Sequence, residues 1–333
     1  FPLSLLYWGV IFCRNIFYNL GIFVSHKLPC KVISIGNITT GGTGKTPAVI
    51  FFAELLKKRG FRIGILTRGY GRNSKGTIDL NSEISNKKNW NYFGEEPVLI
   101  SQKLIDIPIV IDNNRYRGGR YLYDKYKPEL IILDDGFQHR FLARDLDIVL
   151  IDATCPFGYR RLLPAGLLRE PLSSLKRAGL VMITRVDQVT SIELQLIRQT
   201  IEKYNPEVAV VEFAHHVEGF ENYSGETLGL SGLVGKTVLA FSGIGNPLAF
   251  VDLLEEQGVE LAAHMEFEDH HHFNRNDIEK IIARTKEVSA EAIICTMKDL
   301  VKIQVDRLGS VPLWALSVGM EPSASQELLV QEL

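Results

Sequence analysis

A glycine-rich turn followed by Lys-Thr is the stretch of this sequence with the clearest chemistry. Residues 31–47 read K-V-I-S-I-G-N-I-T-T-G-G-T-G-K-T-P, so an apolar β-branched run leads into the glycines and helical sequence follows them. Backbone N–H groups of such a turn, together with the positive end of the helix dipole, bind phosphate. Lys45 would reach the terminal phosphates of a nucleotide, and Thr46 would offer its hydroxyl to Mg²⁺. The stretch therefore predicts a P-loop, although the usual pattern has glycine at the position of Thr39.

The predicted nucleotide contacts extend over the whole turn and the start of the helix. They are Thr40, Gly41, Gly42, Thr43, Gly44, Lys45, Thr46 and Pro47.

Two acidic motifs could supply the carboxylates that phosphoryl chemistry needs. The apolar residues 130–133 lead into D-D-G-F-Q-H, and a strand that ends in Asp134 would deliver a carboxylate to Mg²⁺ or to its waters. The motif G-E-E-P at residues 94–97 opens a predicted helix, where acids are favoured in the first turn. Capping explains one of the two glutamates and leaves room for a chemical role of the other.

Three further segments are rich in charged residues, and the first two suit an anionic ligand or acid–base chemistry. Residues 160–171 read R-R-L-L-P-A-G-L-L-R-E-P, a mixture of arginines and apolar residues that fits a phosphorylated amphiphile. Residues 268–273 read E-D-H-H-H-F. Adjacent histidines do not converge on one ion, so we expect one histidine held by a carboxylate to act as acid or base. The third segment, T-M-K-D-L-V-K at residues 296–302, lies between two predicted strands.

Composition restricts the class of protein. The chain has 333 residues, of which 46% are hydrophobic and 23% charged, with a net charge of −2. This length allows two domains with separate cores. The balanced charge gives no support to a nucleic-acid partner. The four cysteines lack C-x-x-C spacing, which argues for a reducing compartment and against disulfides or a zinc site.

The first 24 residues are strongly apolar but carry polar side chains that count against a membrane span. At about 100° per residue the apolar residues Trp8, Phe12 and Phe23 share a broad face. The polar residues that gather on the other side are Ser4, Arg14, Asn15, Tyr18 and Asn19. We expect a helix lying in the membrane surface, with a core-packing helix as the alternative.

With these motifs in this order, the chain resembles the tetraacyldisaccharide 4'-kinases, the lipid A 4'-kinases. The resemblance rests on the P-loop, G-E-E-P, D-D-G-F-Q-H-R, R-L-L-P-A-G-L-L-R-E-P and E-D-H, and runs from about residue 5 to beyond Lys302. It implies a kinase at the cytoplasmic face of the inner membrane of a Gram-negative bacterium. Such an enzyme transfers the γ-phosphate of ATP to the 4'-hydroxyl of tetraacyldisaccharide 1-phosphate in lipid A biosynthesis.

The resemblance also implies roles for individual residues. Thr46, Asp134 and Glu170 would organise Mg²⁺ around the nucleotide that Lys45 and the loop amides hold. Two cations, Arg115 and Arg169, would steady the transferring phosphate or that of the substrate, a task that suits the planar guanidinium.

The same resemblance implies a base for the acceptor hydroxyl. The family pairs an aspartate of G-D-E-P with a histidine of the C-terminal domain, and the matching positions here are Glu95 and His270. Glu95 departs from the family by one methylene, so Glu96 is the nearest alternative carboxylate. Since His270 is predicted in a different domain from the P-loop, we expect catalysis to require domain closure.

The implied fold is a P-loop NTPase-type α/β/α sandwich with a second, smaller α/β/α domain and an N-terminal amphipathic helix. A two-stranded linker joins the domains, and we expect a monomer. The predicted boundaries are 1–28 for the membrane-associating helix, 29–213 for the P-loop kinase domain, 214–235 for the interdomain linker region, 236–320 for the smaller C-terminal domain and 321–333 for a C-terminal helix.

Two other classes fit less of the sequence. A membrane-associated ATPase or GTPase switch is the first, but partitioning-type ATPases have lysine where Thr40 stands, and GTPases need N-K-x-D where residues 296–299 read T-M-K-D. The second, a non-catalytic membrane-binding module, leaves the motifs of Asp134, Glu170 and His270 without a role. The kinase is therefore favoured.

Overall fold

The computed structural model describes residues 2–82 and 89–323, in which helices and strands alternate. The helices are α1 (Pro2–Asn19), α2 (Lys45–Lys58), α3 (Trp90–Phe93), α4 (Glu95–Lys103), α5 (Arg115–Tyr126), α6 (Ser191–Tyr204), α7 (Pro247–Glu256), α8 (Arg275–Glu287) and α9 (Met297–Ile303). The strands are β1 (Lys31–Asn37), β2 (Ile63–Thr67), β3 (Ile78–Asp79), β4 (Ile109–Ile111), β5 (Leu130–Asp134), β6 (Leu146–Asp152), β7 (Leu180–Thr184), β8 (Ala209–Glu221), β9 (Thr227–Leu228), β10 (Thr237–Ser242), β11 (Glu260–Glu266), β12 (Ala292–Thr296), β13 (Arg307–Leu308) and β14 (Val311–Pro322).

The chain forms two compact units. The first comprises Phe1–Lys87, Ile100–His215 and Met320–Leu333, and the second comprises Lys88–Leu99 and His216–Gly319. The chain therefore passes from one unit to the other four times: on either side of residues 88–99, inside β8 and inside β14.

The first unit is built on a parallel sheet with β1 near its centre. The strand order is β7-β6-β1-β5-β2-β4, with β3 antiparallel to β4 and the first part of β8 parallel to β7. Every residue of β2, β5 and β7 is buried, as expected for parallel strands that are covered on both faces. Because the strands are parallel, their carboxyl ends meet at one edge, where α/β proteins bind ligands.

Helices of the first unit pack on this sheet through apolar side chains. Ile197 and Ile201 of α6 lie in one cluster with β6 and β7, which contribute Val149 and Val181 among others. Leu122 of α5 lies in a different cluster, which contains residues of β1, β2, β4 and β5. The apolar periodicity of the helices thus serves to hold them against buried strands.

The second unit has a smaller parallel sheet of order β11-β10-β12-β14, with helices packed on both of its faces. Alternate residues of β10 point to opposite faces, as in any strand. Val238 and Ala240 pack with Phe250 and Leu254 of α7. Leu239 and Phe241 pack with Ile281 of α8 and Leu300 of α9 in a separate cluster. This unit is therefore an α/β/α sandwich in its own right.

Three elements differ from the sequence-based expectations. The segment 214–235 was predicted as an interdomain linker region, but β8 continues into it as far as Glu221, and Phe220 is buried in the core of the second unit. The segment 88–99, with the G-E-E-P motif, belongs to the second unit and not to a domain spanning 29–213. Residues 321 and 322 belong to β14, the Ser323 amide donates to the Glu212 carbonyl at 2.7 Å, and the rest of the predicted C-terminal helix, from residue 324, lies outside the described residues.

Within residues 2–82 and 89–323, no helix combines the length and the apolarity that crossing a bilayer would demand.

The Phe241 side chain is fully buried between β10 and the helices of the second unit. We expect Phe241→Ala to lower the free energy of unfolding of this unit by about 3–5 kcal/mol, because the substitution removes apolar contacts and leaves a cavity. Leu248→Ala on the exposed side of α7 is the control and should change it by less than about 0.5 kcal/mol. Urea unfolding measures both, and equal effects would contradict the packing described here.

Candidate active site

The predicted P-loop joins the carboxyl end of β1 to the N-terminus of α2. Thr40 to Gly44 lie in the connection, whereas Lys45, Thr46 and Pro47 form the first turn of the helix. Gly44 has φ of +84°, and a Cβ atom there would lie 3.0 Å from the Met320 Cε atom. This position therefore favours glycine for its left-handed backbone, while the Met320 side chain would have to shift slightly to admit a Cβ atom.

Hydrogen bonds from three parts of the first unit fix the loop. The Asn37 Nδ2 group donates to Thr43 Oγ1 at 2.8 Å, and the Arg185 Nη2 group donates to the Gly42 carbonyl at 3.1 Å. The Thr40 amide donates to the Leu167 carbonyl at 2.8 Å. The loop at 160–171 thus contacts the P-loop directly, although the two are far apart in the sequence.

Asp134 and Asp135 lie at the end of β5, next to the P-loop strand. Asp134 is buried and accepts a hydrogen bond from Thr67 Oγ1, at the tip of β2, at 2.8 Å. Asp135 accepts from Arg169 Nη1 at 3.0 and 3.1 Å and lies 3.8 Å from Lys45 Nζ. Burial alone would raise the pKa of Asp135, but the charges of Lys45 and Arg169 outweigh it and lower the pKa.

Arg115 lies at the N-terminus of α5, where its side chain is enclosed. It is 3% exposed and donates from Nη1 to the Asp112 carbonyl at 2.8 Å, while its Nε group finds no hydrogen-bond partner among the described residues. Burial lowers its pKa to about 10, opposed by the charges of Asp134 and Asp135. Arg115 is therefore a cation at neutral pH with an N–H group available to an anion.

Glu170, which the sequence predicts as a magnesium ligand, is paired with two arginines. The side chain is fully buried, with Oε1 at 2.6 Å from Arg14 Nη2 and Oε2 at 2.9 Å from Arg177 Nη1. Burial would raise its pKa, but Arg177 and Arg14 reverse the effect and lower it. Both oxygens are thus engaged by guanidinium groups, and the role of Glu170 as a magnesium ligand stays a prediction.

The polar side of α1 faces the same loop. The Ala165 amide donates to Ser4 Oγ at 3.1 Å, and the Tyr7 hydroxyl donates to the Arg169 carbonyl at 2.8 Å. Arg14 adds the ion pair with Glu170. Large apolar side chains of α1 remain exposed on the other side, and they are Leu3, Leu5, Leu6, Trp8, Val10, Phe12 and Phe17.

The second unit contains a histidine–carboxylate pair. His270 Nδ1 lies 3.1 Å from Glu95 Oε2, and the Glu95 side chain is 10% exposed whereas that of His270 is 41% exposed. The hydrogen bond to Glu95 raises the pKa of His270 against the opposing effect of burial. Burial would raise the pKa of Glu95, but the contact with His270 and the charge of Lys302 lower it. Glu95 is therefore a buried carboxylate beside a more exposed imidazole.

The other two histidines of the run have separate partners. His271 Nε2 lies 2.9 Å from Asp277 Oδ2, and the His272 ring contacts the Trp90 ring with 4.8 Å between centroids. In the part of the chain that the structure describes, no three His, Cys, Asp or Glu side chains are grouped to hold a metal ion. Glu96 pairs with Lys298 at 3.2 Å, so the two neighbouring glutamates have different partners.

A family model described as Tetraacyldisaccharide-1-P 4'-kinase matches residues 1–333. The chain belongs to this family. It is 36% identical over 318 residues to the tetraacyldisaccharide 4'-kinase of Halothermothrix orenii, covering 91% of this chain and 82% of the relative. It is 37% identical over 342 residues to the enzyme of the same name from Syntrophus aciditrophicus, covering 99% and 91%.

A solved structure matches over nearly the full length. The crystal structure of LpxK from Aquifex aeolicus in complex with ATP covers 99% of this chain and 96% of its own, with 33% identity and a TM-score of 0.77. The predicted family, the α/β fold class and the assignment as an ATP-dependent kinase of lipid A biosynthesis are confirmed.

Sequence reasoning missed several partners of the predicted residues. Asp135 was visible as the second member of D-D, but its contacts with Lys45 and Arg169 depend on the fold. The T-M-K-D-L-V-K motif was noted without a role, and its Lys302 lies 3.4 Å from Glu95 Oε1. The available signal was the spacing of Asp299 and Lys302, because residues three positions apart lie on the same face of a helix.

Glu95→Gln removes the negative charge beside His270. We expect the pKa of His270 to fall, because the hydrogen bond and charge that stabilise the imidazolium are lost. In the wild type the protonated, paired imidazole therefore persists to higher pH than in the variant. Titration of the histidine resonances by NMR measures this, with His270→Ala to assign the signal.

Glu96→Gln is the matched control for this titration, since Glu96 pairs with Lys298. A larger change of the His270 pKa in Glu96→Gln than in Glu95→Gln would show that Glu96 is the carboxylate that raises the pKa of His270.

Proposed function

We propose that this chain transfers the γ-phosphate of ATP to the 4'-hydroxyl of tetraacyldisaccharide 1-phosphate, with His270 as the base for the acceptor hydroxyl. The observation that carries the proposal is the His270–Glu95 pair, present in a chain that also has a P-loop and a buried carboxylate at the end of β5. Membership of the kinase family supports the substrate assignment.

On the phosphate-donor side, Lys45 and the loop amides bind the terminal phosphates of ATP. The buried Nε group of Arg115 has no hydrogen-bond partner within residues 2–82 and 89–323, and Arg169 lies next to Asp135 in the same unit. Both guanidinium groups can therefore stabilise charge on a transferring phosphoryl group, which is the main requirement of this reaction.

Mg²⁺ fits this set of residues. Thr46 and Asp134 supply hard oxygen donors, and Thr67 orients the Asp134 carboxylate by a hydrogen bond. Held by these residues, magnesium would supply positive charge that neutralises the phosphates of ATP. Glu170 is the third predicted ligand, and it would bind the ion through an oxygen that also pairs with Arg14 or Arg177.

On the acceptor side, the partner of each imidazole nitrogen defines its role. His270 Nδ1 donates its proton to Glu95, and Nε2, which lies 4.0 Å from Asp269 Oδ1, is assigned to accept the proton of the sugar hydroxyl. The buried carboxylate stabilises the imidazolium that forms, as in other histidine–carboxylate pairs. The extra methylene of Glu95 does not prevent this contact, which is 3.1 Å long.

We also propose that α1 binds the membrane from its cytoplasmic face, as a monomeric peripheral protein. The exposed apolar side chains of α1 are adjacent along one helix, and its polar side is already engaged by the loop at 160–171. A helix with this division buries its apolar face at the lipid interface. The acyl chains of the substrate would lie in the same membrane, so the enzyme would bind its substrate at this interface.

His270→Ala is expected to lower kcat by about 10²–10⁴-fold, because the proton of the acceptor has no positioned base. The KM for ATP should change little, since the P-loop is untouched. Transfer of labelled phosphate from ATP to detergent-solubilised tetraacyldisaccharide 1-phosphate measures both constants. His272→Ala is the control and should retain most activity.

Two outcomes would contradict the proposal. Activity of His270→Ala equal to that of His272→Ala would remove His270 from the reaction. ATP hydrolysis without any lipid product in the wild type would instead favour a switch-type ATPase.

Leu6→Asp places a charge on the exposed face of α1, where Leu6 is 68% exposed. We expect weaker binding to vesicles of phosphatidylethanolamine and phosphatidylglycerol, with an unchanged melting temperature. Ile192→Asp on α6 is the matched control, because Ile192 is 70% exposed but lies on another helix. Flotation of protein with vesicles measures binding, and equal loss in both variants would exclude a specific role of α1.

A further inference from the structure

The T-M-K-D-L-V-K motif has no role in the function proposed above, yet its charged side chains are buried. It begins at Thr296, which caps α9 by accepting a hydrogen bond from the Asp299 amide. Asp299 is fully buried, and the Lys302 side chain has no exposed surface. Buried charges are costly unless they are paired, so each of these groups needs a partner.

Lys302 is paired with two carboxylates. Its Nζ atom lies 3.3 Å from Asp299 Oδ1 and 3.4 Å from Glu95 Oε1. The other oxygen of Glu95 is the one that contacts His270. One carboxylate therefore bridges the lysine and the histidine, and rotation of Glu95 away from His270 would break its ion pair with Lys302.

Asp299 is linked to the backbone of His270 through Gly243. Its Oδ2 atom accepts hydrogen bonds from Thr296 Oγ1 at 2.7 Å and from the Gly243 amide at 3.0 Å. The Gly243 carbonyl in turn accepts from the His270 amide at 3.2 Å. His270 has φ of +59°, an uncommon backbone conformation that its surroundings must hold.

The contact at Gly243 is close-packed. A Cβ atom at this position would lie 3.1 Å from Asp299 Oδ1 and 3.2 Å from the His271 Cβ atom. A larger residue would therefore separate the Asp299 carboxylate from the segment that carries His270. The motif thus holds the Glu95 side chain through Lys302 and the His270 backbone through Asp299 and Gly243.

We propose that Lys302 and Asp299 are positioning residues for the Glu95–His270 pair and keep its carboxylate ionised and directed at the imidazole. The inference rests on the proposed function of that pair in the transfer reaction. It gives the buried helix α9 a part in catalysis without contact to ATP or to the acceptor.

Lys302→Met tests the proposal, because methionine approximates the length of lysine without its charge. We expect kcat to fall about 10–100-fold, as for other groups that orient a functional histidine, with KM for ATP changed less than about twofold. The contact with Glu95 raises the pKa of His270, so a carboxylate that is no longer directed at the imidazole should move the acid limb of the kcat profile, which His270 sets, to lower pH. Lys302→Arg keeps the charge and should return that limb to the wild-type position.

Lys286→Met is the control for loss of a positive charge from the same unit. Lys286 is an exposed residue of α8, so both kcat and the pH profile should remain those of the wild type. Wild-type kcat and acid limb in Lys302→Met, or the same losses in Lys286→Met, would overturn the proposal. A purely structural role would lower the melting temperature and leave the acid limb in place.

A measurement without substrate separates this inference from the function it rests on. A proton held between His270 Nδ1 and Glu95 gives a downfield NMR signal, which should weaken or disappear in Lys302→Met and persist in Lys286→Met. Its persistence in Lys302→Met overturns the positioning role even if the wild type phosphorylates the disaccharide. Absence of lipid phosphorylation by the wild type would overturn the proposed function alone.

If Lys302→Met does not fold, Asp299→Asn decides the question. Asparagine retains an acceptor for the Gly243 amide but loses the charge that faces Lys302. A reduced kcat with a weakened Nδ1 proton signal supports the proposal, and wild-type values of both overturn it.

Discussion

The carboxyl edge of the parallel sheet in the first unit is the constraint on which the phosphate site depends. Pairing of β1 with β5 sets Ile35 opposite Asp134, so the P-loop leaves the sheet beside the acidic strand end. β2 lies on the other side of β5 and ends at Thr67, whose hydroxyl reaches Asp134. Residues 67 positions apart in the sequence thus become direct neighbours through register alone. The glycine loop, the carboxylate and its hydroxyl partner all follow from the order of three strands.

Compensation of buried charge is the second organising principle. Burial alone would raise the pKa of each carboxylate at the site and favour its neutral form. Glu170 stays ionised because Arg14 and Arg177 pair with it, and Asp135 because Lys45 and Arg169 lie beside it. Removal of one partner from such a pair leaves a buried, uncompensated charge. The loss of stability is therefore larger than the net stabilisation that the pair provides. Through Arg14, the N-terminal helix is therefore part of the electrostatics of the phosphate site.

The sequence identified local patterns well and long-range partners poorly. The glycine turn and the apolar strand before Asp134 are continuous motifs, so a single stretch of sequence identifies them. The ion pair of Glu170 with Arg14 joins residues 156 positions apart, and no local pattern distinguishes it from a metal ligand. Assignment of residues 88–99 to the second unit also depends on packing: Trp90 Nε1 donates to the Lys302 carbonyl at 3.1 Å. Predicting such contacts requires the sheet order first.

Position 95 shows how a departure from a family pattern can be accommodated. The resemblance implies aspartate there, and glutamate is longer by roughly one C–C bond, about 1.5 Å. In this chain the longer side chain bridges His270 and Lys302, which contact different oxygens of its carboxylate. Glu95 also begins α4, where the helix dipole favours a negative charge. An aspartate on the same backbone would fall short of one of its two partners unless α4 moved toward them, so side-chain length and helix position must change together.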